Sequence, residues 1–377
     1  MSLKNDPGVP EDTGMDKGPA FWSKPARECG DGNRGVSGWA GPPRSGRNAG
    51  PLICLTPHPP MKKATAGTQR TQLATARKQA GSAPNGRIHP VVIYPFRQPA
   101  DYADLGELYQ LIARLDADKD RYARPITVLD RKTHYAMEGN KAFLDFRKNT
   151  VARHSDILDV WGVDTCQMWY SGLGMAYETG GPEDVYWLIP GDFNYGTAVG
   201  KGVLGRLHDL PEIVLELQQD LCIGEIATDH NNPKQLIDNY GTFALLYNWF
   251  PAEAQEIRQI TERPRSEFFA IRHSFLHEML RQRWYAYEQT VVMLLKAVFS
   301  NKRISRFYVG EVSDLPEGRE SLASAIQQVE RTERVLKTLW RERNHPRTGW
   351  TERYQALEAQ SEQVRRTALV ILQNLLD

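Results

Sequence analysis

Apolar residues in this chain fall into short unbroken runs, separated by stretches where they recur every three or four positions. The first run, Val91-Val92-Ile93-Tyr94-Pro95, is β-branched and closed by proline, which predicts a strand. Leu105, Leu108, Leu111 and Ile112 then share one face of a helix predicted over residues 101–115. A second strand, Ile126-Thr127-Val128-Leu129, ends on Asp130; residues 139–148 read as a helix and 157–161 as a third strand. A helix at about 172–180 leads into Val185-Tyr186-Trp187-Leu188-Ile189, apolar throughout as expected of a strand covered on both faces. Residues 194–205 are polar and glycine-rich and read as a loop, followed by a helix at 210–219 and a strand at 222–227. Leu236, Tyr240, Phe243, Tyr247 and Phe250 form a helical stripe that Pro251 ends, a core face rather than a cofactor box. A short strand at Phe268-Phe269-Ala270-Ile271, a helix through His277, a helix to Phe299 and a last strand at 304–309 complete the series. Strands alternating with helices predict an α/β sheet with helices on both faces.

The period changes towards the C-terminus. Leu322, Ile326, Val329, Leu336 and Trp340 keep helical spacing, His345-Pro346-Arg347-Thr348-Gly349 breaks it, and Tyr354, Leu357, Val364, Ala368, Ile371 and Leu375 resume it. Two antiparallel helices are predicted, able to dock on the sheet or to form the seam of a homodimer. Residues 1–88 show neither period and are rich in Gly, Pro, Ser, Arg and Lys, a composition that predicts disorder. This basic leader could be a solvated tail, a targeting segment or a contact for an anionic surface. The expected division is thus a leader over 1–88, a sheet domain over 89–316 and a helical hairpin over 317–377.

Composition narrows the class. With 377 residues, 41% of them apolar, the chain can bury a substantial core. Its 47 Lys and Arg against 46 Asp and Glu leave no global field, which argues against nucleic acid as a partner. Cys29, Cys54, Cys166 and Cys222 are far apart and lack zinc spacing, so they read as free thiols of a reducing compartment. No run approaches the length of a membrane span, and the expected location is cytoplasmic or membrane-peripheral.

Candidate chemistry centres on Gly172-Leu173-Gly174-Met175-Ala176-Tyr177 and on the Val185 strand, which runs into Pro190-Gly191-Asp192-Phe193. Small residues opening a helix, followed by a buried strand that delivers a carboxylate, suit a phosphorylated ligand. Asp192 could hold a divalent cation against a diphosphate or serve as a turn residue. Asp130 could accept hydrogen bonds from a base or ribose, or be a strand-end turn residue. Glu288, flanked by Trp284, Tyr285 and Tyr287, reads as a partly desolvated carboxylate suited to accept a proton, or as a helix N-terminal acid. Arg263, Arg265, Arg272 and Arg283 could clamp a diphosphate or a phosphorylated acceptor, or be solvated. Asp229-His230, His273 and His277 lack a metal spacing and read as structural.

Taken in order, these signals resemble the inverting GT-A glycosyltransferases of family 2, nearest the polyprenyl (dolichyl) phosphate mannose synthase branch. Gly172-Leu173-Gly174-Met175-Ala176-Tyr177-Glu178-Thr179-Gly180 resembles that branch's segment before its metal-binding strand, and Asp192 falls on the second aspartate of its Asp-x-Asp. Pro190 replaces the first. Phe268 to Ile271, Glu288 and Asn301-Lys302-Arg303 followed by the last strand stand in the family's order, over roughly residues 91–315. The opening strand lacks the family's carboxylate at Gln98, and the second strand carries Asp130 alone where the family has an acidic pair.

The resemblance implies a GT-A, Rossmann-like mixed sheet, a nucleotide-sugar donor contacted at Asp130, Gly172, Gly174, Asp192 and Arg272, and Mg²⁺ or Mn²⁺ at Asp192. It implies Glu288 as the base of an inverting hexosyl transfer to a lipid phosphate or soluble acceptor. The missing acids equally suit a catalytically silent homologue that binds a nucleotide-sugar or a protein. A nucleotidyltransferase would open with a glycine-rich basic loop, which Pro95-Phe96-Arg97-Gln98-Pro99 is not. Nucleic-acid binding by the leader rests on charge alone.

Overall fold

Side chains alternate between two apolar layers along every central strand, because a strand buried on both faces sends successive residues to opposite sides. The computed structural model describes residues 86–94, 106–130, 151–155, 163–191, 193, 195–226, 240–282, 288–310 and 322–376. Its strands are β1 (Ile88–Tyr94), β2 (Ile126–Asp130), β3 (Val151–Ser155), β4 (Val185–Pro190), β5 (Leu221–Ile226), β6 (Phe269–Arg272) and β7 (Ile304–Gly310). They form one sheet in the order β3-β2-β1-β4-β6-β5-β7. All neighbours run parallel except β6, which is antiparallel to both β4 and β5. The α/β sheet expected from the periodicity is therefore present, and it is mixed as the resemblance implies.

One layer holds Val91, Ile93, Val128, Tyr186, Leu188, Ile223, Phe269 and Ile271. It is covered by α2 (Val163–Thr179), α5 (Thr242–Trp249), α6 (Pro251–Ile260), α7 (His273–Leu280) and α8 (Gln289–Phe299). The other holds Val92, Leu129, Trp187, Ile189, Cys222, Ala270 and Phe307, under α1 (Gly106–Ala117), α3 (Ala198–Leu207) and α4 (Asp209–Glu216). In α1 the buried residues are Leu108, Leu111 and Ile112 of the expected stripe, joined by Leu115, while Leu105 lies outside the described residues.

The C-terminal helices α9 (Leu322–Asn344) and α10 (Trp350–Leu376) join the first layer through Val329, Leu336, Leu339, Trp340 and Tyr354. Trp249 of α5 meets the rings of Trp340 and Tyr354 and donates from Nε1 to Ser361 Oγ at 3.1 Å. Ser361 in turn donates to Glu333 Oε1 at 2.9 Å, so a buried polar thread fixes the register of the hairpin on the body.

Several elements differ from expectation. The third strand is Val151–Ser155, while 157–161, the 139–148 helix and residues 1–85 of the leader lie outside the described residues; β1 already begins at Ile88, inside the expected leader. Within 194–205 the expected loop is a helix, α3, started by Thr197, whose Oγ1 accepts from Gly200 N at 2.9 Å, and held by buried Val203, Leu204 and Leu207. Pro251 ends the aromatic stripe by opening α6 at its first turn.

Candidate functional site

β1 is flanked by β2 on one side and β4 on the other, both parallel to it. The chain moves outward from β1 to β2 and β3, then returns to the far side with β4, which creates a crevice at the carboxyl ends of these strands. Tyr94 pairs with Leu129, so Asp130 stands one residue beyond that pair on β2. On the other side Pro190 pairs with Ile93, and Gly191 N donates to Ile93 O at 2.7 Å. Two strand spacings separate β2 from β4, about 10 Å. Asp192 follows Gly191 in sequence; it lies outside the described residues, as does the side chain of Asp130. The strand ends that carry these two acids thus flank the end of β1.

Past Gly191 the chain turns back on itself. Tyr195, 1% exposed, donates its hydroxyl to Pro190 O at 2.7 Å, and its amide to Phe193 O at 3.0 Å. Phe193 packs on Phe268, just before β6, with ring centroids 4.7 Å apart. Tyr195 was not singled out in the sequence; a lone aromatic after a glycine turn gives no sign that its hydroxyl will close the turn.

The two glycines do not open a helix. Gly172 and Gly174 lie inside α2, away from either end. A Cβ at Gly172 would stand 2.6 Å from Val91 Cγ1 and 2.7 Å from Val128 Cγ2, so the glycine lets α2 approach β1 and β2. Gly174 has no such neighbour, the nearest being Leu280 Cδ2 at 4.0 Å. Gly172 thus serves the packing of α2 on the sheet, and neither glycine stands at a helix N-terminus.

Arg272 is also placed differently. It ends β6 at the edge of the sheet opposite the crevice, paired with Val185 at the start of β4. Its Nε donates to Gln219 O at 3.0 Å and its Nη2 to Val214 O at 2.8 Å, capping carbonyls at the end of α4. Burial pulls its guanidinium below the ordinary range, against the attraction of Asp220. Its guanidinium is bonded within the fold, at the end of the sheet away from the crevice.

Glu288 sits at the head of α8, on the crevice side of the sheet, and is 1% exposed. Its Oε1 lies 3.2 Å from Arg331 Nε on α9 and 3.7 Å from Arg265 Nη2. Oε2 has no hydrogen-bond partner among the described residues. The described surroundings are ionic, whereas the expected aromatic neighbours Trp284, Tyr285 and Tyr287, together with Arg283, lie outside the described residues. Glu288 occupies the N-cap position of α8 without a side-chain cap hydrogen bond, so the reading as a helix N-terminal acid stands beside the reading as a base.

At the opposite edge, Asp184, His89, Tyr186, His273, Tyr177 and His277 form a chain of contacts. His89 Nε2 meets Asp184 Oδ2 at 2.8 Å, and the His89 ring stacks on Tyr186. The hydroxyl of Tyr186 meets His273 Nδ1 at 2.7 Å; Tyr177 stacks on His273 and reaches His277 Nδ1 at 2.6 Å. Burial lowers the affinity of His89 and His273 for a proton and pushes the Tyr186 hydroxyl up. Burial would raise Asp184, but the Gly181 and Arg87 amides and His89 overcome it and hold the carboxyl below its usual range. His273 and His277 are thus hydrogen-bonded to tyrosine hydroxyls within the fold; Asp229 and His230 lie outside the described residues.

Cys222 is a free thiol that burial pushes up to about 12, an inert core residue. Among the described residues no three His, Cys, Asp or Glu groups come together as a cation cage, and no helix is long and apolar enough to cross a membrane. The cation that the resemblance implies was expected at Asp192, which lies outside the described residues.

No protein-family model matches the chain, and no curated protein matches it. Solved structures do. Glucosyl-3-phosphoglycerate synthase of Mycobacterium tuberculosis is 12% identical over 76% of this chain and 88% of that one, with a TM-score of 0.48. The same enzyme in complex with Mn²⁺ and UDP-glucose is 14% identical over 78% and 87%, with a TM-score of 0.48. At these identities and scores the likeness carries no argument for this chain. Its fold stands on its own strand order, and its function on its own residues.

Proposed function

We propose that this chain is a metal-assisted, inverting GT-A glycosyltransferase that takes its sugar from a nucleoside diphosphate. The observation that carries this reading is the pair of strand ends, β2 with Asp130 and β4 running into Gly191-Asp192, on either side of β1 at the switch point of the sheet. The span between them suits a nucleoside on the β2 side and a diphosphate on the β4 side. Mg²⁺ or Mn²⁺ bound at Asp192 would supply charge neutralisation on the leaving diphosphate. An acceptor oxygen attacks the anomeric carbon, the bond from that carbon to the diphosphate breaks, and the acceptor proton leaves to a base.

Glu288 is the proposed base. Its Oε1 is committed to the two arginines, which orients the carboxylate, and Oε2 is the oxygen left to take a proton. The acceptor carries the reactive hydroxyl or phosphate oxygen, from a lipid phosphate or a soluble molecule.

A second reading, a silent homologue that binds a nucleotide-sugar without turnover, is favoured by Pro190 in place of an acid and by the burial of Glu288. A thermal-shift panel of UDP- and GDP-sugars, with and without Mn²⁺, on wild type and Asp192→Ala tests the donor site, because a ligand that binds only the folded state raises Tm. A metal-dependent shift for one donor that Asp192→Ala loses supports a donor site; the absence of any shift sinks it. Sugar transfer assayed with the donor so found separates the enzyme from its silent counterpart.

A further inference from the structure

We propose that Tyr195 is a positioning residue for donor binding: its hydroxyl bonds Pro190 O at the end of β4 and holds Gly191, Phe193 and Tyr195 in place beside the site of the donor diphosphate. This inference rests on the nucleotide-sugar reading above and names the group that makes a single carboxylate at that stretch sufficient. The turn is tied at each end. Gly191 N is held by Ile93 O at 2.7 Å, and Tyr195 donates to Pro190 O at 2.7 Å, so both tethers end on the two strands that form the crevice floor. Between them, Phe193 is anchored on Phe268, and Tyr195 N on Phe193 O at 3.0 Å closes the inner loop.

A tyrosine only 1% exposed needs a partner for its hydroxyl, and a residue used only for packing could be phenylalanine. Here the hydroxyl serves the carbonyl of Pro190, the residue standing where the resembling family has its first metal-site acid. A site with two acids can tolerate a loose turn because one group compensates for the other. A site with one acid depends on having its backbone ordered before the ligand arrives, since ordering it at binding costs affinity.

The test compares wild type with Tyr195→Phe, which keeps the ring and removes the tie. Donor affinity is measured by titration with UDP-glucose and GDP-mannose in Mn²⁺, and amide hydrogen exchange is followed in the free proteins. The expected result is a donor affinity about tenfold weaker, the scale of one hydrogen bond, with exchange faster at residues 191–195 and unchanged elsewhere. A merely structural role would speed exchange across the body and lower Tm with little change in donor affinity. Equal donor affinities, or equal exchange at 191–195, overturn the assignment of Tyr195 while leaving the nucleotide-sugar reading in place. A wild type that binds neither donor nor any other nucleotide-sugar removes that reading and this inference with it. Should Tyr195→Phe fail to fold, Phe193→Leu, which loosens the same turn at its other anchor, is expected to give the same localised exchange and weaker donor binding, and an unchanged donor affinity there overturns the proposal.

Discussion

Arg331 of α9 places its Nε 3.2 Å from Oε1 of Glu288, a carboxylate that is 1% exposed and lies 43 residues earlier in the chain. The pair joins the C-terminal hairpin to the crevice side of the sheet. Removing the carboxylate leaves Arg265 and Arg331 facing each other in a buried place. Glu288→Gln is expected to destabilise the protein by about 3 kcal/mol, read by chemical denaturation. Arg331→Met is expected to cost less, because Arg265 remains near the carboxylate. The two changes together should cost less than their sum. Additive losses would show that the pair is not a brace.

Gly172 and Gly174 separate close packing from helix propensity on one helix. Gly172→Ala puts a methyl against Val91 and Val128 and is expected to cost about 1–3 kcal/mol. Gly174→Ala makes only an ordinary contact with Leu280 Cδ2 at 4.0 Å and is expected to be neutral or to stabilise by up to about 1 kcal/mol. Thermal denaturation of both variants decides; similar effects at the two positions would contradict the packing.

The histidine and tyrosine chain makes stability depend on pH in a stated direction. His89 and His273 bind a proton less readily in the folded protein than in the unfolded chain. The stability they contribute is present above the unfolded histidine value, about 6.5, and is lost as pH falls below it. Asp184, depressed in the fold, adds a second loss below the unfolded carboxyl value of about 3.9. Tm is expected to fall from about pH 7 to about pH 5, and His273→Phe should flatten that slope. A slope unchanged by the substitution would remove His273 from the account.

Arg272 is expected to matter for the fold and not for the donor. Arg272→Met should cost about 2 kcal/mol through its lost bonds to the carbonyls of Val214 and Gln219. Donor affinity of the folded variant should match wild type in titration. A selective loss of donor binding would return this residue to the site.

What the sequence discloses follows from how far apart the partners are. β4 was legible because both its faces are covered, leaving an apolar run with nothing polar to break it. α1 was legible from the stripe of Leu108, Leu111 and Ile112. β3 was placed late because it is an edge strand carrying Arg153 and His154, while the more apolar stretch beyond it drew the assignment. α3 was hidden by Gly200, Gly202 and Gly205, although Thr197 as a cap and Val203, Leu204 and Leu207 on one face were signals in plain view. The candidate site divides in the same way. That Asp130 ends one strand and Gly191 follows another is read from local pattern, whereas Arg272 meets carbonyls 53 and 58 residues away, which local pattern does not encode.

The antiparallel strand β6 has a consequence for how the protein is made. β4 is complete at Pro190, yet its neighbour in the sheet, β6, is not synthesised until residues 269–272. β5 can join only through β6, so it waits as well. A growing chain that stops short of Phe269 therefore carries β4 as an unpaired apolar edge beside the finished β1, the kind of edge on which other chains assemble. The last strand to enter the middle of the sheet is the one that protects the nascent protein from its neighbours on the ribosome.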